Sequence, residues 1–385
     1  MPDRQQAWSE RKAQIMAAYA AQFCATLSAG TAVWLVDGHA GPASYGAGRW
    51  QVPGAPIQIA EHAAQLAQNL GRAIRCLLIT PDPAHVAALQ SALASLGEQV
   101  LIWPGEWAAL LPDTLRQLGA GAALVVLDGA MLYPVSGSLE HLARRLAKTE
   151  VLVRYQRQSV AALLAAREDE AARRPSEAAL DALFGARSWR TVVAGASDEA
   201  ERDLQLRDLY VLRLLELRGG RFKWAAACPI HTSWGELEYD LVFATPDRAA
   251  GTALNAVLYQ VEGRRAEDPD AYLRQQTAGR PRQTSLFDAA PPSARALREA
   301  KIAAIVESLS VIATTQPRLW SYADLFDQLL RGGWFGHLTN EHLQAGCQVL
   351  QAAGRLQRVS QGHSWDAATL IRLRGDPAEP EISKA

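Results

Sequence analysis

The residues from Thr31 to Gly48 constrain this chain more than any other stretch. Thr31 to Val36 is an apolar run that reads as a buried strand. It turns at Asp37-Gly38 into a loop with glycines at 38, 41, 46 and 48. Ile57 to Leu70 follows with apolar residues at helical spacing. A strand that ends in Asp-Gly and opens into a glycine-rich loop is where α/β sheets hold ligands. Glycine lets the backbone approach the ligand, and the bend falls at the carboxyl end of the strand. The loop is not a G-x-G-x-x-G fingerprint, and no Gly-Lys-Ser/Thr makes it a P-loop. A plain strand-to-helix turn is the competing reading.

Further strands and helices alternate after it. An opening helix, about Gln5 to Leu27, precedes strands at Thr31–Val36, Ile74–Ile79, Gln99–Trp103, Ala122–Leu127 and Val151–Tyr155. Helical patterns at Ile57–Leu70, Pro83–Leu96 and Ser138–Ala147 separate most of them, which predicts a mostly parallel sheet. Near 158–197 the chain is helical and charged, an expected insertion by the cleft. A long helix, Ala200 to Leu217, then leads to Phe222–Pro229 and Tyr239–Thr245, expected as an antiparallel edge hairpin. Five parallel strands closed by a hairpin form the strand series of class I S-adenosylmethionine-dependent methyltransferases, a doubly wound, Rossmann-like α/β fold. This domain is expected over 1–265.

Residues 266–294 are polar and rich in Gly and Pro, which predicts a flexible linker. Helices are expected at Leu297–Ala313, Tyr322–Leu330 and Asn340–Ala353, with short strands at Gly354–Val359 and Thr369–Leu373. Three helices with a two-stranded wing describe a winged helix-turn-helix over 295–375, followed by a disordered tail, 376–385. Glu299 to Arg374 carries seven Lys/Arg and six Asp/Glu, a net of +1 with no basic stripe. A protein-docking winged helix therefore fits as well as a DNA reader. Formal charge over all 385 residues is −1, so nothing global favours nucleic acid or an anionic membrane. Cys24, Cys76, Cys228 and Cys347 lack C-x-x-C pairing and read as thiols of a reduced, cytoplasmic protein. No membrane span or signal peptide is expected.

With these segments in hand, the chain resembles the three-Cys-motif partner (TcmP) family. Asp37-Gly38-His39-Ala40-Gly41-Pro42 through Tyr45 and Gly48, with Pro53-Gly54-Ala55-Pro56, is similar to that family's Asp-x-Phe-Ala-Gly-Pro-Gly and Gly-Ser-Pro pattern. Leu183-Phe184-Gly185, Trp189-Arg190, Tyr239 to Thr245 and Gln283 to Phe287 also resemble family segments. The resemblance implies a bacterial methyltransferase-like fold with S-adenosylmethionine as cofactor. It also implies a partner protein bearing three cysteines and a DNA- or defence-related setting. It makes Asp37, Gly38, Ala40, Gly41, Pro42, Tyr45 and Gly48 cofactor-loop residues. Thr80 stands where the family carries a ribose-binding carboxylate, with Asp82 two residues later. Gly129 replaces the Pro of Asp-Pro-Phe-Gly, His39 replaces Phe, and Ala43 replaces Gly.

The chemistry-bearing candidates are few. Asp37 can orient the loop or a ligand amino group, and Asp128 can face a substrate; both can equally cap helices. His39 is a candidate general base or a structural hydrogen-bonding histidine. No Asp-Pro-Pro-Tyr follows Ala122–Leu127, which tells against methylation of an exocyclic base amine. Cys228-Pro229 has the wrong order for cytosine-C5 chemistry. Gln283-Thr284-Ser285-Leu286-Phe287 resembles the peptide with which DNA-processing enzymes dock on the replication sliding clamp. There Gln283 would bond at a rim while Leu286 and Phe287 fill an apolar pocket. The competing reading staples Leu286-Phe287 onto the chain's own surface. These observations leave two functions open: a methyltransferase-like enzyme, or a non-catalytic partner protein that docks through its winged helix and linker.

Overall fold

The structure is a computed structural model and describes residues 4–46, 48–129, 131–232, 235–276, 291–360 and 365–374. Contacts divide the chain into two units: Met1–Ile230 with Leu237–Val257, and His231–Glu236 with Leu258–Ala385.

The first unit opens with α1 (Arg4–Ala25) and β1 (Val33–Asp37). A small hairpin, β2 (Ser44–Tyr45) and β3 (Val52–Pro53), leads to α2 (Ala55–Leu70). There follow β4 (Ile74–Thr80), α3 (Pro83–Ala92), β5 (Val100–Pro104), α4 (Trp107–Leu118), β6 (Ala122–Leu127), α5 (Glu140–Ala143) and β7 (Thr149–Tyr155). Helices α6 (Arg157–Ala166), α7 (Glu170–Phe184), α8 (Ser188–Gly195) and α9 (Glu199–Leu215) precede β8 (Trp224–His231) and β9 (Leu237–Thr245). Helix α10 (Arg248–Val261) runs from the first unit into the second.

Seven strands form one sheet in the order β5-β4-β1-β6-β7-β9-β8. β1 pairs in parallel with β4 and β6, setting Val36 opposite Leu77 and Val125 and Asp37 opposite Leu78 and Val126. β9 runs antiparallel to β7, with Leu152 opposite Phe243. A reversed strand inserted beside the fifth parallel one is the sheet of methyltransferase-like Rossmann folds. Helices cover both faces of the central strands, so β1 and β6 are buried at every residue and read as continuous apolar runs.

Several elements differ from expectation. Helix α4 stands between β5 and β6 where none was read, because Pro112 inside it interrupts the pattern. α5 keeps only Glu140–Ala143 of the expected Ser138–Ala147, after a kinked turn at Val135–Leu139. Within the expected flexible linker, Pro269–Gln276 is a helix, α11. Gln283, Leu286 and Phe287 lie outside the described residues.

The second unit continues with α12 (Ala294–Thr315), β10 (Leu319–Ser321), α13 (Tyr322–Leu329), α14 (Asn340–Ala352), β11 (Leu356–Arg358) and β12 (Leu370–Leu373). The strands make an antiparallel sheet ordered β10-β12-β11, so β10 adds a third strand to the two expected. The Thr339 hydroxyl accepts the His342 N–H while His342 Nδ1 accepts that of Thr339, a reciprocal cap that starts α14.

Candidate functional site

The carboxyl ends of β1 and β6 bring Asp37 and Asp128 together, and a lysine joins them. Lys12 Nζ lies 2.7 Å from Asp37 Oδ1 and 2.9 Å from Asp128 Oδ1. All three residues are buried, at 3%, 2% and 8% exposure, which is rare for charged groups unless they are paired. Burial works to lower the Lys12 pKa, but the two carboxylates more than offset it and hold it above its ordinary value. The cluster has one more carboxylate than ammonium. Burial and Asp128 accordingly push Asp37 up, against the pull of Lys12. Asp37 Oδ1 also accepts the His39 N–H at 3.1 Å and so braces the start of the loop. Asp37 Oδ2 is buried with no hydrogen-bond partner among the described residues.

The loop after β1 lies across its neighbouring strands. The Gly38 N–H donates to the Val126 carbonyl at 2.9 Å, and the Ala40 N–H donates to the Ile79 carbonyl at 2.8 Å. Residue 38 is packed tightly: a Cβ there would sit 2.6 Å from the Leu127 side chain and 3.0 Å from that of Trp107, so a larger residue would push Leu127 aside. Farther out, Gly41 faces the Tyr45 hydroxyl, Pro42 packs against Gly54, and Gly48 begins a short turn ending at the exposed Trp50.

At the end of β4, Thr80 is buried and its hydroxyl accepts the Asp82 N–H at 3.4 Å. Asp82 caps α3, accepting the N–H groups of Ala84 and His85. Its carboxylate is therefore engaged in starting a helix.

His39 and Gly129 fit each other. A Cβ on Gly129 would run into the His39 ring, so the imidazole at 39 and the missing side chain at 129 make one packing solution. Tyr133 Oη lies 2.6 Å from His39 Nδ1 and accepts the Gly129 N–H at 2.8 Å. Burial lowers the His39 pKa to about 4, with Asp128 opposing and Lys12 assisting. Burial and Asp128 raise that of Tyr133, so a protonated phenol donates to a neutral imidazole. His39 is thus uncharged at neutral pH and already hydrogen-bonded.

The structure places Asp37, Asp128, His39 and the Gly38–Ala40 backbone within one connected cluster, while Asp82 is turned to helix capping. Lys12 and Tyr133 join the cluster without having been singled out in the sequence. Among the described residues, no group of three or more His, Cys, Asp or Glu is placed to hold a metal, and no helix is long and apolar enough to cross a membrane.

No protein-family pattern and no curated protein matches the chain. Among solved structures it is similar to the cofactor-bound protein Rv0187 from MTB, at 16% identity over 64% of this chain and 82% of that one, with a TM-score of 0.30. A protein from Klebsiella pneumoniae named as an O-methyltransferase gives 15% identity, the same two coverages and a TM-score of 0.30. Geranyl diphosphate C-methyltransferase from Streptomyces coelicolor A3(2) gives 9% identity over 59% of this chain and 78% of that one, with a TM-score of 0.26. Likeness at this level says nothing of activity; strand order and register are what define the fold.

Proposed function

We propose that the first unit is an S-adenosylmethionine-binding, methyltransferase-type domain whose ligand lies over the carboxyl ends of β1, β4 and β6. The observation that carries this reading is the Asp37–Asp128 pair at the carboxyl ends of adjacent central strands, with Asp37 Oδ2 buried and lacking a partner among the described residues. A buried acceptor without a donor is costly, and a ligand amino group supplies the donor it lacks. The residues therefore fit the group at its amino-acid end. Bound there, S-adenosylmethionine supplies an electrophilic methyl group. The chain's own residues would do the rest: Asp37 and Asp128 orient the amine, and Thr80 lies at the edge of the ribose region. His39, neutral and braced by Tyr133, positions the loop.

A second reading, a partner protein that retains the fold without catalysis, is favoured by Lys12. Its ammonium already lies within hydrogen-bonding distance of both carboxylates, and the Gly38 and Ala40 N–H groups already serve sheet carbonyls. In that reading the C-terminal unit docks on a three-Cys-motif protein, another partner protein or DNA. The order α12, β10, α13, α14, β11, β12 supports a winged helix there. The peptide Gln283 to Phe287 would then dock on a sliding clamp. Four free, buried cysteines support a reduced, cytoplasmic setting for either reading.

Calorimetry of the full chain with S-adenosylhomocysteine separates the two. Saturable binding that Asp37→Ala abolishes in a folded protein supports the first. No heat at roughly millimolar ligand, about −4 kcal/mol, removes it and leaves the partner reading.

A further inference from the structure

Away from the carboxylate cluster, the first unit has a concavity whose lining is cationic. Arg145, Lys148, Arg221 and Lys223 surround a cavity of about 350 Å³ near the amino ends of β7 and β8, with Asp247 as its one carboxylate. The inner two cations are fixed in place. Arg145 donates to the carbonyls of Gly119 and Gly121 and to the Thr149 hydroxyl. Lys148 is held by Asp247 at 3.0 Å, Glu150 at 3.2 Å and the Thr26 hydroxyl at 2.8 Å. The outer two, Arg221 and Lys223, are exposed, and neither side chain has a hydrogen-bond or ion-pair partner among the described residues. Their backbone is nevertheless rigid: Arg221 N–H donates to the Ala143 carbonyl and Lys223 N–H to that of Thr245. Phe222 between them is buried, which turns both charges outward.

Lys148 is already paired with Asp247 and Glu150, so the charge left for a ligand is that of Arg145 inside and of Arg221 and Lys223 at the mouth, which suits a ligand with more than one negative charge. The same cavity has an apolar part, from Leu142, Pro246 and Leu146, and Leu146 is 82% exposed. A phosphate ester joined to a sugar or base answers both halves. The cations also continue outside the cavity to the exposed Arg218, in the run Arg218-Gly219-Gly220-Arg221-Phe222-Lys223. Arg218 is not part of the cavity lining, so it adds a cation beside the site that favours a ligand with several phosphates in a row. We propose that this cavity and the turn beside it bind the phosphate backbone of a single-stranded nucleic acid, with Arg221 and Lys223 as the principal phosphate contacts. Recognition is sequence-tolerant, because cations on phosphate and an aliphatic surface under a base read no base edge. With a formal charge of −1 on the whole chain, the attraction is local and strongly salt-dependent.

Fluorescence anisotropy with a short labelled oligodeoxythymidylate, titrated with the full chain over a salt series, tests this. Binding at low salt is expected to weaken by about tenfold or more in the Arg221→Glu, Lys223→Glu double variant. The salt slope should fall by about one to two units, since each phosphate contact contributes about one. The melting temperature of that variant should match the parent, because both side chains are exposed and have no partner among the described residues. AMP is the second probe. Displacement by AMP at an affinity equal to the oligonucleotide's would assign the cavity to mononucleotides and overturn the nucleic-acid proposal. No oligonucleotide binding at low salt, or binding and slope unchanged in the double variant, would overturn the site itself.

Discussion

Lys12 lies on the buried stripe of α1 with Ile15, Met16, Tyr19 and Phe23, at the i, i+3, i+4, i+7 and i+11 spacing of one helix face. A lysine in an apolar register was the signal for a buried partner. Its partners are 25 and 116 residues away, and helical periodicity says nothing about contacts at that range. Asp37 and Asp128 were legible for the opposite reason: each ends an apolar strand, so local pattern alone puts them at the sheet's carboxyl edge. Replacing Lys12 tests how far the three act together. Lys12→Met leaves two buried carboxylates without their cation, which should cost about 3–5 kcal/mol at neutral pH in chemical denaturation. The pH dependence has a definite sign. Asp37 is already shifted upward, and removing Lys12 shifts it further, so its folded pKa lies above the unfolded value. A group of that kind stabilises below its unfolded pKa and loses this as pH rises through the folded one. The Lys12→Met penalty should therefore shrink as the pH is lowered from 7 toward the ordinary carboxylate range. Adding Asp37→Asn should recover much of it at pH 7. A penalty independent of pH would show that the ammonium matters only for packing.

Element by element, the central strands were the most legible, since strands buried on both faces are written as apolar runs. Boundaries shifted by only a residue or two, as with Gln99–Trp103 against Val100–Pro104. Helices that owe their ends to distant residues were harder. Helix α2 is preceded by Gly54 at its N-cap, which offers no side chain to cap it. The cap comes instead from α1, where the Ser9 hydroxyl accepts the Ala55 N–H at 2.7 Å in a buried setting. No local pattern announces a cap borrowed from 46 residues upstream. Ser9→Ala should cost about 1 kcal/mol, the usual effect of losing a capping oxygen, read as a lower denaturation midpoint with an unchanged slope. Moving the cap back into the local chain should not repair it. A Cβ at residue 54 would run into the Pro42 carbonyl, so Gly54→Ser in the Ser9→Ala background should lower stability again. Recovery in that double variant would mean the loop around Pro42 is free to move.

At the scale of the whole molecule, the two units are not two halves of the sequence, because His231–Glu236 belongs with the C-terminal unit. A single boundary along the chain has no means of expressing a segment that leaves its neighbours. The chemistry that holds it is specific. Glu262 is 2% exposed and accepts the His231 N–H at 3.0 Å, with His231 Nδ1 at 2.9 Å. Arg265 donates to the carbonyls of His231 and Thr232. Taking away the imidazole removes a donor from a buried carboxylate, a change worth about 1–3 kcal/mol. If the two units are also separate cooperative units, His231→Ala should speed amide hydrogen exchange in α12 and α14. It should leave protection in β1 and β6 at parent values, because local stability is set unit by unit. His231→Asn, which keeps a side-chain donor near the same place, should restore part of the lost protection. Equal loss of protection in β1, β6, α12 and α14 would instead mean that the chain opens as one body, and that the division seen in the contacts has no energetic counterpart.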